Sequence, residues 1–243
     1  MKKYAIIVAG GAGVRMGTAV PKQFLPLNGR PVLWYTLDTF LGAFPDLEII
    51  LVVPMVHLET ARVLVGGFAD AGRVRLVTGG NTRFHSVRNG LALVMGNVQG
   101  PMPGDGQGLM LTQEASIIFV HDGVRCLVSR ELIQRCYEQA VRLGSAIPVI
   151  GCRDSVRLVG EEGSSKPIDR DRIKLVQTPQ TFRSDILLEA YTMDHQEAFT
   201  DEATVVEVAG HAVHLIEGEV NNIKITTPAD MAVAGQLVME RAG

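Results

Sequence analysis

Two cations close behind a glycine-rich bend are the first residues whose types and spacing suggest chemistry. The bend holds Gly10, Gly11 and Gly13 in the string AGGAGVRMG, and the cations are Arg15 and Lys22, the latter in Pro21-Lys22-Gln23. Glycines let backbone N–H groups turn toward an anion without side-chain obstruction. An arginine fork beside a lysine point charge suits a polyphosphate. The string does not fit G-x-x-x-x-G-K-[ST], and Met16 stands where G-x-G-x-x-G needs its last glycine. Neither a P-loop nor a dinucleotide fingerprint is present. A tight strand-to-helix turn with two solvated cations is the alternative on spacing alone.

A second group lies in FVHDGVRCLVS, residues 119–129, where Asp122 comes directly off an apolar run and Arg125 follows. Open α/β sheets bind ligands beyond the carboxyl ends of their strands, which is where Asp122 falls. One carboxylate plus substrate phosphates suffices for Mg²⁺ or another divalent cation; a plain strand-end cap is the alternative. His121 beside it reads as a packed, hydrogen-bonded imidazole and not as a ligand. In TGGNTRFHSVRNGL (78–91), Gly79-Gly80 joins a strand to a helix opened by Arg83 and Ser86. Helix N-terminal N–H groups there favour an anion or a polar base edge. Lys224, in EVNNIKITTPAD, is expected on a strand just before the last helix. It acts at the site only if that strand folds back toward Asp122.

These residues need a scaffold, and the sequence supplies an alternation of strand and helix. Apolar, β-branched runs recur at 5–9, 48–54, 73–78, 116–121 and 146–150, and between them 32–41, 57–68, 86–95 and 130–143 carry helical periodicity. The fold class is therefore α/β: a Rossmann-like, mostly parallel sheet with helices on both faces. Leu33, Leu37 and Phe40 fall at helical spacing and are assigned to the core. Residues 96–114, rich in glycine and proline, read as a solvated insertion loop. After Ile150 the pattern alternates around Gly160-Glu161-Glu162-Gly163-Ser164-Ser165, the mark of a long β-hairpin. Two strands alone are marginal in water, so this arm needs a surface to rest on, and a second subunit is a natural one. The chain then returns to helix at 184–192 and 201–209, strand at 213–217 and a final helix at Pro228, with Thr227 as its cap. One domain, 1–243, with 152–177 as a dimerising arm is the economical division.

At 243 residues the chain can bury a large core, and 47% hydrophobic with 20% charged residues is ordinary for a globular protein. A net charge of −3 supplies no global field for nucleic acid or an anionic membrane. Phosphate chemistry must rest on local cations. The three cysteines, Cys126, Cys136 and Cys152, form neither a C-x-x-C pair nor an even framework, which suits reduced thiols in the cytoplasm. The apolar run after Lys3 is too short for a signal peptide, and no stretch approaches the ~20 residues of a membrane span.

Taken together, the chain resembles the 2-C-methyl-D-erythritol 4-phosphate cytidylyltransferases of the non-mevalonate isoprenoid pathway. The resemblance rests on A-G-G-A-G-x-R-M-G, P-K-Q-F, G-G-x-x-R-x-x-S-V, V-H-D-x-x-R, Q-T-P-Q-T-F at 177–182, T-D-E-A at 200–203 and N-I-K-I-T at 222–226, in the family's order. It implies cytidylyl transfer from CTP to methylerythritol phosphate, with Mg²⁺ and release of pyrophosphate. By motif position it assigns Arg15, Lys22 and Lys224 to catalysis. It assigns Ala9, Gly10, Gly11, Ala12, Gly13, Gly80, Arg83 and Ser86 to the nucleotide, and Asp122 to the metal and substrate. Arg125, Ser155, Arg170, Thr178 and Thr200 go to the polyol phosphate, with Arg170 supplied by the neighbouring subunit of a homodimer.

Three positions depart from the family's pattern: Ser155 replaces a usual threonine, Gly123-Val124-Arg125-Cys126 replaces a small-residue and proline setting, and Asn221 stands where an acid commonly precedes Asn-Ile-Lys. The competing readings are a ribitol-5-phosphate cytidylyltransferase, a catalytically silent nucleotide-binding homologue, and a glycosyltransferase. The last would need Asp169-Arg170-Asp171 as its metal motif, but that string sits in the arm.

Overall fold

A computed structural model describes residues 1–11, 17, 20–95 and 115–242. Ala12, Gly13, Arg15 and the expected loop at 96–114 lie outside the described residues. In chain order the elements are β1 (Lys3–Val8), β2 (Pro26–Leu27), β3 (Arg30–Pro31), α1 (Val32–Ala43), β4 (Leu47–Val53), α2 (Leu58–Gly66) and β5 (Val74–Thr78). There follow α3 (Arg83–Val94), β6 (Ile117–Asp122), α4 (Arg130–Leu143), β7 (Ser145–Gly151), β8 (Val156–Val159), β9 (Ser165–Ile168) and β10 (Lys174–Val176). The last are β11 (Gln180–Arg183), α5 (Ser184–Ala190), α6 (Glu202–Val208), β12 (Leu215–Glu217) and α7 (Pro228–Ala242).

The main sheet runs β10-β7-β11-β6-β1-β4-β5, with β12 beside β7. Strands β6, β1, β4 and β5 are mutually parallel, whereas β11 is antiparallel to both β6 and β7. Burial on both faces explains the unbroken apolar runs. On β1, Ala5 and Ile7 pack with Leu33, Leu37 and Phe40 of α1 and with Leu132 and Ile133 of α4. Tyr4 and Ile6 face the other way, toward Val87 and Leu91 of α3, Leu187 of α5 and Val206 of α6. The strands expected from the sequence agree with these within a residue or two, and so does the α/β layering.

Local chemistry sets the helix starts. Thr82 caps α3 by accepting from His85 N–H, and Ser129 caps α4 by accepting from Leu132 N–H. Asp230 closes the start of α7: its Oδ2 accepts from the Thr226 and Thr227 N–H groups at 2.8 Å each. Ala234 of α7 packs with Leu27, Val32, Val124, Leu127 and Ile225, which pins the segment before α7 against the sheet end.

The arm at 152–177 is a hairpin in two parts: β8 and β9 pair antiparallel toward its tip, and β10 at its base pairs antiparallel with β7. The edge of β7 offers a row of unpaired backbone groups, and β10 satisfies them. One expectation needs correction: Lys224 is not on a strand. Its segment is held by Ile225 N–H donating to Val124 O at 3.0 Å, with no ladder around it.

Candidate active site

Parallel register brings the chemistry to one edge. Val8 and Asp122 are partners at the ends of β1 and β6, and Gly123 N–H donates to Val8 O at 2.9 Å. On the other side Val53 and Thr78 end β4 and β5 together, and Gly79 N–H donates to Val53 O at 2.8 Å. After β5 the chain crosses back over β1 to build β6, so the β1/β6 boundary is a topological switch point. A cleft of about 540 Å³ opens there. Of the residues singled out in the sequence, Ala9, Gly10, Gly11, Lys22, Gly80, Arg83, Ser86, Asp122 and Lys224 line it.

Asp122 is the electrostatic centre. Its Oδ2 lies 2.9 Å from Lys224 Nζ and 3.7 Å from Arg125 Nε, and its Oδ1 lies 3.4 Å from Arg83 Nε and Nη2. Burial pushes the carboxyl pKa up, but Arg83, Lys224 and Arg125 outweigh burial and hold it well below the ordinary carboxylate range. Among the described residues that line the cleft, Asp122 is the only carboxylate, and no cluster of three metal-ligating side chains exists among the described residues. A hard oxygen donor with open cleft beside it fits a divalent cation whose other ligands are phosphate oxygens.

The strand end that carries the carboxylate is held by a buried polar network. Asp122 N–H donates to Thr178 Oγ1 at 3.1 Å, and Thr178 Oγ1 is 3.0 Å from His121 Nδ1. His121 Nε2 lies 3.2 Å from Arg125 O, a carbonyl that only accepts. Nε2 therefore carries the proton, Nδ1 accepts, and the Thr178 hydroxyl donates to it. Burial pushes the His121 pKa down to about 3, so the ring is neutral and acts as a spacer, as its sequence context suggested. Thr178 is buried behind Asp122 and is absent from the cleft wall.

Across the cleft, Ser86 Oγ donates to Thr82 O at 3.0 Å and accepts from Gly80 N–H at 3.1 Å, which folds the loop before α3 onto the helix. Gly80 has to be glycine for this: a Cβ would sit 2.4 Å from His85 Cβ and 3.0 Å from its backbone carbon. Gln23, which the sequence reading did not single out, is buried on the wall beside Lys22 and donates to Ala9 O at 2.8 Å. It locks the chain leaving β1 against the short turn that carries Lys22.

The remaining expected residues stand apart from the cleft wall. Arg125 donates to Asn222 O at 2.9 Å and braces the Lys224 segment. Ser155 and Arg170 are exposed on the arm, where Arg170 donates to Arg153 O at 3.0 Å; Thr200 is exposed ahead of α6. A further residue the sequence reading missed is Glu202, fully buried and paired with Arg83 Nη1. Its sequence signal, an acid just after the Asp201 cap, is that of any helix first turn.

The chain matches the model of the 2-C-methyl-D-erythritol 4-phosphate cytidylyltransferase family over residues 4–101 and 106–241. It belongs to that family. Family relatives of the same name include proteins from Phocaeicola vulgatus, 43% identical over 98% of this chain and all of the relative, and Bacteroides fragilis, 44% identical with the same coverage. Among solved members, the enzyme from Thermus thermophilus superposes with a TM-score of 0.70 at 29% identity, covering 98% of this chain and 100% of the other. The 4-diphosphocytidyl-2C-methyl-D-erythritol synthase of Anaerococcus prevotii gives 0.76 at 26% identity, covering 98% of each chain.

Proposed function

We propose that this protein transfers a cytidylyl group from CTP to 2-C-methyl-D-erythritol 4-phosphate, releasing pyrophosphate. The observation that carries the reading is the shared cleft: Arg83 and Lys224 pair with the Asp122 carboxylate and Lys22 lines the same cleft, at the switch point of a chain in this family. A substrate phosphate oxygen attacks the α-phosphorus in line. The new P–O bond forms as the bond to the β-phosphate bridging oxygen breaks, and both electrons leave with pyrophosphate. Little covalent work falls to the protein, so catalysis is positioning and charge neutralisation.

In this reading Lys22 and Arg15 neutralise the crowded phosphorus and the leaving pyrophosphate, and Lys224 meets the α-phosphate. Asp122 would hold Mg²⁺, which would offset the charge of the triphosphate. The backbone from Ala9 through Gly13 and the Gly80 turn braced by Ser86 surround the nucleoside. Arg125, Thr178 and Thr200 belong to the side that receives the polyol phosphate. Ser155 and Arg170 reach that side from the arm of a second copy. The arm supports a homodimer: Leu158 and Val159 are exposed apolar residues on a ribbon too small to be stable alone. The buried thiols Cys126 and Cys136, with pKa values pushed up to about 12 by burial, suit a reducing cytoplasm. Pyrophosphate release with CTP and the polyol phosphate tests the reading.

A further inference from the structure

We infer that Glu202 is a positioning residue that keeps Arg83 from closing onto Asp122. The inference rests on the proposed nucleotide reaction and assigns this cleft a buried second carboxylate. Arg83 stands between two acids and treats them unequally. Its Nη1 pairs tightly with Glu202, whereas its Nε and Nη2 both sit 3.4 Å from Asp122 Oδ1, long for a charge-assisted bond. Without the Glu202 anchor, the two nitrogens facing Asp122 would close into a forked pair on the carboxylate. That pair would occupy the oxygen offered to a cation and draw the guanidinium away from the cleft.

Glu202 cannot reach a ligand itself. Its side chain is fully buried, with Oε1 3.3 Å from the Tyr191 hydroxyl and Oε2 without a hydrogen-bond partner. A buried carboxylate with one unsatisfied oxygen is a poor device for stability. It is nevertheless held rigidly to the Asp122 strand. Gln180 of β11 pairs in register with Val120 of β6, accepts from Ala203 N–H at 2.8 Å and donates to Asp201 Oδ2 at 2.9 Å. Gln180 thus ties the Asp122 strand to the residues on either side of Glu202, and Arg83 joins Glu202 to Asp122.

The test is a double-mutant cycle on the purified full chain, read by calorimetric binding of CTP with Mg²⁺ and by KM and kcat. Glu202→Gln is expected to weaken binding at least tenfold and to raise KM for CTP in proportion. On an Arg83→Gln background the same change is expected to shift binding less than twofold. Equal losses in both backgrounds, or unchanged binding in the single variant, would overturn the inference. Arg83→Lys, which keeps the charge but spans one acid only, is the check should Glu202→Gln not fold. It too should bind at least tenfold more weakly, and wild-type binding would count against the tether. A ligand-free crystal structure of Glu202→Gln separates this from the reaction: Arg83 should close on Asp122, and retention of the 3.4 Å spacing contradicts the role. Wild-type protein that neither binds nor turns over CTP would instead strike at the proposed function.

Discussion

Lys224 Nζ lies 2.9 Å from Asp122 Oδ2, although a hundred residues of chain separate the two motifs and Lys224 belongs to no strand. Asp122 is nearly buried and Lys224 is 43% exposed, so the lysine can exchange a carboxylate for a phosphate without rebuilding the core.

Lys224→Ala therefore separates activity from stability. Asp122 keeps Arg83 and Arg125 beside it when the half-exposed lysine is removed, so the thermal midpoint should move little. Turnover should fall by about 10²–10³-fold, the scale of losing one stabilising charge at a transition state. Asp122→Ala and Lys22→Ala should fall as steeply. Steady-state pyrophosphate release beside a thermal melt reads both quantities, and wild-type turnover in any of the three would contradict its assigned role.

His121 sets a pH signature. Its folded pKa is depressed to about 3 by burial, against about 6.5 unfolded. The unfolded chain thus binds the extra proton first as pH falls. The stability this group contributes is complete above about 6.5 and is lost as pH falls from there toward 3. The slope approaches about 1.4 kcal/mol per pH unit within that window. His121→Gln should lower stability at pH 8 and flatten that slope; denaturant melts across pH 8 to 4 measure it, and parallel curves would refute the neutral-spacer account.

The arm makes a prediction about mixed assemblies. Arg170→Ala and Lys22→Ala chains should each be inactive alone, and mixed dimers should recover up to one working site of two. Mixing, refolding and assaying the two variants checks this, and activity no higher than the parents' would argue against a shared site.

Which parts could be read from the sequence follows from range. The strand run Ile117–Val120 is apolar because both its faces are buried, and α3 shows through the helical periodicity of 86–95; both signals are local. The cleft residues Ala9 and Asp122 were legible for the same reason, since the first ends such a run and the second follows one. Glu202 was not, because its partner Arg83 is 119 residues away and a first-turn acid looks ordinary. Gln23 on the wall and Thr178 behind it act through hydrogen bonds to Ala9 O and to Asp122 N–H and His121, and no spacing reveals those partners. Lys224 sits in an extended segment whose single backbone bond to Val124 mimics a strand in composition only.

The most direct test is substrate choice by the purified chain. With CTP and Mg²⁺, pyrophosphate and a cytidine diphosphate adduct should appear when 2-C-methyl-D-erythritol 4-phosphate is supplied, and not with ribitol 5-phosphate. Turnover of ribitol 5-phosphate alone, or no pyrophosphate with either, would contradict the account.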